Sequence, residues 1–221
     1  MLTLEDLLLN GLKVYQDDEY YRFTSDSVLL SKFVTVKKND VVADFCSGSG
    51  IVGFHLYGLN ENLIKSVTFF EMQKSLCDMC VKSIEFNNLS DKFSAVNVKI
   101  QDIPKEYNEK FSLIVCNPPY MEENRGENSK DERIAMCKVE KYLPLKDLVK
   151  TVARCLKFGG RVNFVYRADR LSDIFWNMKQ NNIEPKKMQF VSGGNKPPYL
   201  VMVEGVKGGK PGLKVLSSAV N

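Results

Sequence analysis

Short apolar runs alternate along this chain with segments whose apolar residues recur every three or four positions. Residues 41–45, 66–70, 94–100, 112–116 and 161–166 read as strands, and 188–191 and 200–204 as two more lying close together. Each is short, bounded by turn formers and rich in β-branched and aromatic residues. Between them, 50–59, 74–86, 145–156 and 172–180 have helical character. In 145–156, Leu145, Leu148, Val149, Val152 and Leu156 share one face. Phe158-Gly159-Gly160 then supplies a helix stop and a turn into the next strand. Ahead of the first strand, 25–34 reads as a helix, with Ser25 or Ser27 as N-cap before Val28, Leu29, Leu30 and Phe33. The alternation is that of βαβ units around a mostly parallel sheet, an α/β fold. No repeat or linker interrupts it, so residues 1–221 read as one domain, with 1–39 as an N-terminal extension and capping helix. One segment departs from the pattern: 121–140 has ten charged residues in twenty. A polar insert after a strand end reads as a mobile substrate loop.

Composition narrows the class. With 44% hydrophobic residues among 221, the chain can bury a sizeable core. No apolar stretch approaches the roughly 20 residues of a membrane span, and Glu5 and Asp6 stand where a signal peptide would be basic. A cytoplasmic protein with no membrane partner is expected. In that reducing compartment the six cysteines do not suggest a disulfide framework. Cys77 and Cys80 form a C-x-x-C, but no second pair completes a zinc site, so no metal is expected. The sole histidine, His55, falls inside a helix and reads as a packing or surface residue. Charge is unevenly spread: residues 151–221 hold 12 Lys and Arg against four Asp and Glu, while the rest of this +4 chain is net acidic. A basic C-terminal third suits either a polyanionic partner or a solvated face.

Candidate chemistry begins at the first strand, which runs into Asp44-Phe45-Cys46-Ser47-Gly48-Ser49-Gly50-Ile51-Val52-Gly53. Such glycines let the backbone approach a ligand, and the following helix aims its N–H groups at the same place. Gly48, Gly50 and Gly53 satisfy the dinucleotide spacing, with Glu71 placed like a ribose-binding acid. However, Asp44, Phe45, Cys46 and Ser47 stand ahead of the first glycine, and the carboxylate of Asp44 would repel a pyrophosphate. It would attract an ammonium and a sulfonium, both of which S-adenosylmethionine carries. Glu71 could accept from the ribose hydroxyls. Asp102, after the third strand, could accept from the adenine amino group, with Ile103 covering the ring. Three acids at successive strand ends mark the edge where open α/β sheets bind ligands.

The fourth strand ends in Asn117-Pro118-Pro119-Tyr120. The prolines fix φ and remove two donors, leaving the Pro118 carbonyl and the Asn117 side-chain oxygen to accept both hydrogens of one –NH2 group. Holding both turns the nitrogen lone pair toward a methyl donor, and Tyr120 offers a stacking face for a flat base or amide. Asn117, Pro118 and Tyr120 are therefore the expected catalytic residues.

The glycine turn and this tetrapeptide together resemble the amino-group branch of the class I methyltransferases. The chain as a whole resembles the bacterial valine-tRNA (adenine-37-N6) methyltransferases, through Asn10-Gly11-Leu12-Lys13-Val14, Arg22-Phe23-Thr24-Ser25-Asp26, Leu156-Lys157-Phe158-Gly159-Gly160-Arg161 and Gly208-Gly209-Lys210-Pro211-Gly212-Leu213. The resemblance implies a Rossmann-like, seven-stranded, mostly parallel sheet with its last strand antiparallel and helices on both faces. It implies S-adenosylmethionine as cofactor, held by Phe23, Thr24, Asp44, Gly48, Gly50, Glu71, Asp102, Ile103 and Asn117. The implied partner is a tRNA anticodon loop, with Pro119 and Tyr120 at the base and Arg125, Lys130 and Arg133 available for phosphates. Where the family shows an Ala-Arg-His-Glu-like sequence, this chain has Met136-Cys137-Lys138-Val139-Glu140. Alternatives sharing the tetrapeptide are guanine-N2 methylation of rRNA and glutamine-N5 methylation of release factors. The second usually has a helical domain ahead of the glycine turn, for which the roughly 40 residues before Val41 are few.

Overall fold

The computed structural model describes residues 1–18, 20, 25–120 and 140–221. In chain order the elements are β1 (Leu2–Asp6), β2 (Lys13–Asp17), α1 (Ser25–Phe33), β3 (Asp40–Phe45), α2 (Ile51–Asn60), β4 (Ile64–Glu71), α3 (Lys74–Phe86) and β5 (Phe93–Asn97). They continue through β6 (Phe111–Cys116), α4 (Leu145–Cys155), β7 (Leu156–Arg167), α5 (Leu171–Gln180), β8 (Ile183–Ser192), β9 (Leu200–Lys207), β10 (Lys214–Val215) and β11 (Ala219–Val220). The main sheet runs β8-β9-β7-β6-β3-β4-β5. Strands β3 to β7 pair in parallel, and β9 is antiparallel to both of its neighbours, β7 and β8. The chain leaves β3 for β4 on one side and later returns to β6 on the other, which opens a crevice at the strands' C-terminal ends.

Both faces of this sheet are covered, which is why its strands read as continuous apolar runs. Alternate residues serve opposite cores. Leu113 and Val115 of β6 join Leu30 of α1, Phe54 of α2 and Ile84 of α3. Ile114 and Cys116 join Leu148 and Val152 of α4 and Ile174 of α5. The apolar face expected of 145–156 is the one that packs here.

The structure departs from expectation at four places. Among the described residues the sheet has nine strands, the seven expected plus β10 and β11, two residues each, which add to β8; runs so short carry no periodicity. The strand expected at 94–100 stops at Asn97, and Ile100–Asp102 form a helical turn. Phe158-Gly159-Gly160 is not a connection outside the sheet. Helix α4 passes directly into β7, and the register jumps from Phe111↔Leu156 to Leu113↔Arg161, so the glycines form a bulge within the strand. Finally, residues 1–17, inside the expected N-terminal extension, have strands that the sequence pattern did not indicate. β1 and β2 form an antiparallel hairpin, and the outer edge of β2 is satisfied by side chains of α3: Tyr15 N–H donates to Ser83 Oγ (2.9 Å) and Lys13 N–H to Asn87 Oδ1 (3.0 Å). An isolated hairpin is marginal in water; docking on α3 stabilises it. No helix among the described residues is long and apolar enough to cross a membrane.

A buried ion pair ties the opposite end of the sheet together. Arg161 Nη2 donates to both Asp40 oxygens at 2.7 and 2.6 Å, and its other terminal nitrogen donates to the Thr35 carbonyl. Ser112 Oγ donates to Asp40 Oδ1 (2.7 Å) and Lys37 N–H to Oδ2 (2.7 Å). Both side chains of the pair are almost fully buried. Asp40→Ala leaves the guanidinium buried without its countercharge, and is expected to lower stability by about 3–5 kcal/mol. Urea unfolding at neutral pH measures this; a loss below about 1 kcal/mol, the value of an exposed pair, contradicts it.

Candidate active site

At the end of β3 the chain turns through Cys46, Ser47, Gly48 and Ser49 before entering α2. Ser47 N–H donates to the Phe70 carbonyl (3.2 Å) and Gly50 N–H to the Ser47 carbonyl (2.8 Å), closing the turn. Gly48 adopts φ +56°, with open space where a Cβ would stand, and its N–H donates to Glu71 Oε2 at 2.9 Å. A Cβ on Gly53 would lie 2.4 Å from the Phe69 ring and 3.2 Å from the Asp44 carboxylate. That closeness lets the Gly53 N–H reach Asp44 Oδ2 at 2.8 Å.

The turn forms one wall of a cavity of about 210 Å³ at the crevice. Glu71 lines it, its Oε1 accepting from Gln73 N–H at 2.8 Å, so each carboxylate oxygen keeps acceptor capacity beyond its backbone bond. Burial pushes the Glu71 carboxyl up, opposed by the backbone N–H groups of Gln73, Gly48 and Met72. Asp44 sits behind the turn, 1% exposed. Burial pushes its carboxyl up from 3.8 to about 8; the Gly53 bond opposes this and the charge of Glu71 adds to it. Among the described residues, Asp44 Oδ1 and Ser47 Oγ are buried without a hydrogen-bond partner.

The facing wall is the tetrapeptide. Asn117, Pro118, Pro119 and Tyr120 all line the cavity, and helix α1 holds the two polar members. Asn117 Nδ2 donates to Ser27 Oγ (3.1 Å), so the nitrogen end of the amide is engaged by the helix and Oδ1 is its acceptor end. The Tyr120 hydroxyl donates to Asp26 Oδ2 (3.0 Å), and its ring meets Tyr166 edge-on at 5.9 Å. A third wall comes from Ile100 and Gln101 with Tyr142 and Leu143. Gln101 Nε2 donates to the Tyr142 carbonyl (3.1 Å), and Arg170 pairs with Glu140 at 2.9 Å, pinning the turn that carries Tyr142.

Of the residues singled out from sequence, Gly48, Glu71, Asn117, Pro118, Pro119 and Tyr120 therefore meet at one cavity. Asp44 and Gly50 lie one layer behind; a Cβ on Gly50 would stand 2.9 Å from Cys80 Sγ, so that glycine serves the packing of α2 on α3. Asp102 is exposed and Ile103 is buried in the core beneath β6, and neither lines the cavity. Successive residues of so tight a turn point in different directions, and it is Ile100 and Gln101 that face inward. Phe23, Thr24, Arg125, Lys130 and Arg133, with the expected loop 121–140 up to residue 139, lie outside the described residues. Cys77 and Cys80 are free thiols on α3, both pushed up by burial. Among the described residues no cluster of three or more His, Cys, Asp or Glu is placed to hold a metal. His55 is buried, its Nδ1 2.7 Å from Ser31 Oγ, and burial lowers its pKa.

Sequence reasoning missed the supporting residues. Ser25 or Ser27 was expected as the N-cap of α1; Ser27 is the third residue of that helix and accepts from Asn117. Asp26 belongs to the same helical turn. Gln16, 2% exposed on β2, donates to Ser49 Oγ in the glycine turn. No spacing rule links positions 33 residues apart. Gln16→Leu removes that brace and leaves the buried Ser49 hydroxyl unpaired, which costs about 1–3 kcal/mol. Calorimetry should show weaker binding of S-adenosylhomocysteine; unchanged affinity would mean that the hairpin does not support this turn.

Residues 22–181 match the family described as Methyltransferase small domain. A tRNA1(Val) (adenine(37)-N6)-methyltransferase of Shewanella baltica is 27% identical over 143 residues, 64% of this chain and 58% of its own length. One of Flavobacterium psychrophilum is 22% identical over 153 residues, 69% of this chain and 64% of its own. The chain thus spans less than two thirds of the length of these relatives. Among solved structures, a protein described as a predicted O-methyltransferase from Agrobacterium tumefaciens superposes with a TM-score of 0.68 at 16% identity, covering 88% of this chain and 86% of that one. The tRNA m1G37 methyltransferase of M. jannaschii superposes with 0.65 at 15% identity, covering 95% and 57%. These likenesses show the Rossmann-like fold of class I methyltransferases. With nearly three quarters of its length matched, the chain belongs to the Methyltransferase small domain family.

Proposed function

We propose that this chain transfers a methyl group from S-adenosylmethionine to the exocyclic N6 of an adenine in tRNA, at position 37 of valine tRNA. The observation that carries the reading is the hydrogen bond from the Asn117 amide nitrogen to Ser27 Oγ, which leaves Oδ1 as the acceptor end of a side chain that lines the cavity together with Pro118. The residues opposite fit the cofactor. Among the described residues, Ser47 Oγ at the cavity wall and Asp44 Oδ1 one layer behind it are buried oxygens without partners, suited to a cationic amino acid end. The oxygens of Glu71 are suited to a ribose diol, and Ile100 and Gln101 to the face and edge of an adenine, with Asp102 beyond them at the exposed rim. Bound there, S-adenosylmethionine supplies an electrophilic methyl group.

The chain's own groups prepare the acceptor. Asn117 Oδ1 and the Pro118 carbonyl take the two amine hydrogens, drawing the nitrogen out of conjugation with the ring. Tyr120, fixed by Asp26 and Tyr166, bears on the base. A base in an anticodon loop reaches the cavity by turning outward. The basic C-terminal third suits the tRNA phosphates, and the names of the relatives favour adenine over guanine or glutamine. Incubation with labelled methyl donor and unmodified tRNA, followed by mapping of the labelled nucleoside, tests this. N6-methyladenosine at position 37 is the expected product; label in rRNA guanine or in release factor, with none in tRNA, overturns the assignment.

A further inference from the structure

Tyr199 is unusual among the described tyrosines: it is held by three hydrogen bonds, yet it is well exposed and no aromatic or cationic side chain among the described residues stacks on its ring. Its N–H donates to the Val191 carbonyl (3.0 Å) and its carbonyl accepts from Ala168 N–H (3.1 Å). Its hydroxyl accepts from Asn221 Nδ2 at 2.5 Å. The residue is nonetheless 43% exposed, and no ring or cation stacks on it among the described residues. By contrast Tyr15, Tyr57, Tyr107, Tyr120 and Tyr166 all have ring partners.

Its position gives the ring a use. The Asn221 amide that holds the hydroxyl also donates to Ser25 Oγ (2.7 Å), at the start of α1. The next two residues of that helix, Asp26 and Ser27, hold Tyr120 and Asn117. Through Asn221, Tyr199 is thus tied to the helical turn that holds the two polar residues of the acceptor wall. The loop before it is exposed from residue 194 to 198 and carries Lys196, which has no ion-pair partner among the described residues.

We propose that Tyr199 and Lys196 form a docking platform for single-stranded RNA, the ring stacking on a nucleotide adjacent to the methylated adenine and the ammonium meeting its phosphate. This rests on the reading of the acceptor as a nucleic-acid base. An aromatic ring already held in one orientation loses little rotamer freedom when a base stacks on it, and such stacking tolerates any sequence. A flanking nucleotide is free to use the site because a base turned into the cavity unstacks its neighbour.

The test is equilibrium binding of a fluorescent anticodon stem-loop RNA to the full chain, with S-adenosylhomocysteine present and salt varied. Tyr199→Ala is expected to weaken RNA binding by about 10-fold without changing the salt dependence, since stacking releases no counterions. Tyr199→Phe, which keeps the ring, should bind close to the unaltered chain. Lys196→Ala should reduce the salt slope by about 1. Calorimetric affinity for S-adenosylhomocysteine should be unchanged in all three. RNA binding by Tyr199→Ala equal to that of the unaltered chain overturns the proposal. So does an equal loss in Tyr199→Phe, or a parallel loss of S-adenosylhomocysteine affinity, which would mark a structural defect. Binding is read without turnover, so RNA that is bound normally but never methylated would overturn the enzymatic reading and leave this platform standing.

Discussion

Asn117→Ala is expected to reduce methyl transfer by at least about 100-fold while leaving the affinity for S-adenosylhomocysteine near that of the unaltered chain. Removing the amide takes away one of two acceptors for the amine hydrogens. The Pro118 carbonyl alone can hold one hydrogen but cannot draw the nitrogen out of plane. Because charge builds on that nitrogen only as the methyl group arrives, the loss should fall on kcat more than on cofactor binding. Ser27→Ala tests the same idea one layer out. Without its partner the Asn117 amide can rotate and present its nitrogen to the amine, so an intermediate loss is expected. Single-turnover assays with saturating cofactor measure both. Full activity in Asn117→Ala would sink the assignment of the tetrapeptide to the amine.

Asp44→Asn is expected to stabilise the ligand-free chain at neutral pH and to weaken its binding of the cofactor. The folded carboxyl titrates near 8 instead of 3.8, chiefly because it is buried. For a group whose folded pKa is raised, the stabilisation is complete below the unfolded value and is lost as pH rises through the folded one. From this group alone, stability should therefore fall between about pH 4 and 8, with a slope approaching about 1.4 kcal/mol per pH unit. Asn is never charged, so the variant should lack that component of the slope. A cationic ligand in the cavity favours the ionised carboxylate, so binding near pH 7 should release protons and strengthen as pH rises toward 8. Urea unfolding from pH 5 to 8, and calorimetry in two buffers of different ionisation enthalpy, measure the two effects. An unchanged stability slope in Asp44→Asn, or binding without proton release, contradicts this account.

The sheet was legible in the sequence because the central residues of β3, β4, β6 and β7 are covered on both faces and so form short, mostly apolar runs. Helix α4 was legible because burial on one side only leaves a three- and four-residue period. Local signals failed where an element depends on a distant partner. The β1–β2 hairpin is half exposed and gains its place from Ser83 and Asn87, and β10 and β11 exist only because β8 offers an open edge.

The site divides in the same way. The chemistry proposed for Asn117-Pro118-Pro119-Tyr120 and for the turn around Gly48 follows from which donors and acceptors those residue types possess, and these are determined by the sequence itself. The acids were another matter. Glu71 reached the cavity, whereas Asp44 was withdrawn behind the turn and Asp102 pointed outward, because a carboxylate's direction depends on the last residues of its strand and on what packs there. Only the tertiary structure decided that Ser27, Asp26 and Gln16 support the site. Each acts across 33 to 94 residues of chain. A hydrogen bond over that separation is set by how helix and hairpin dock on the sheet, a sum of many packing contacts that no local pattern records.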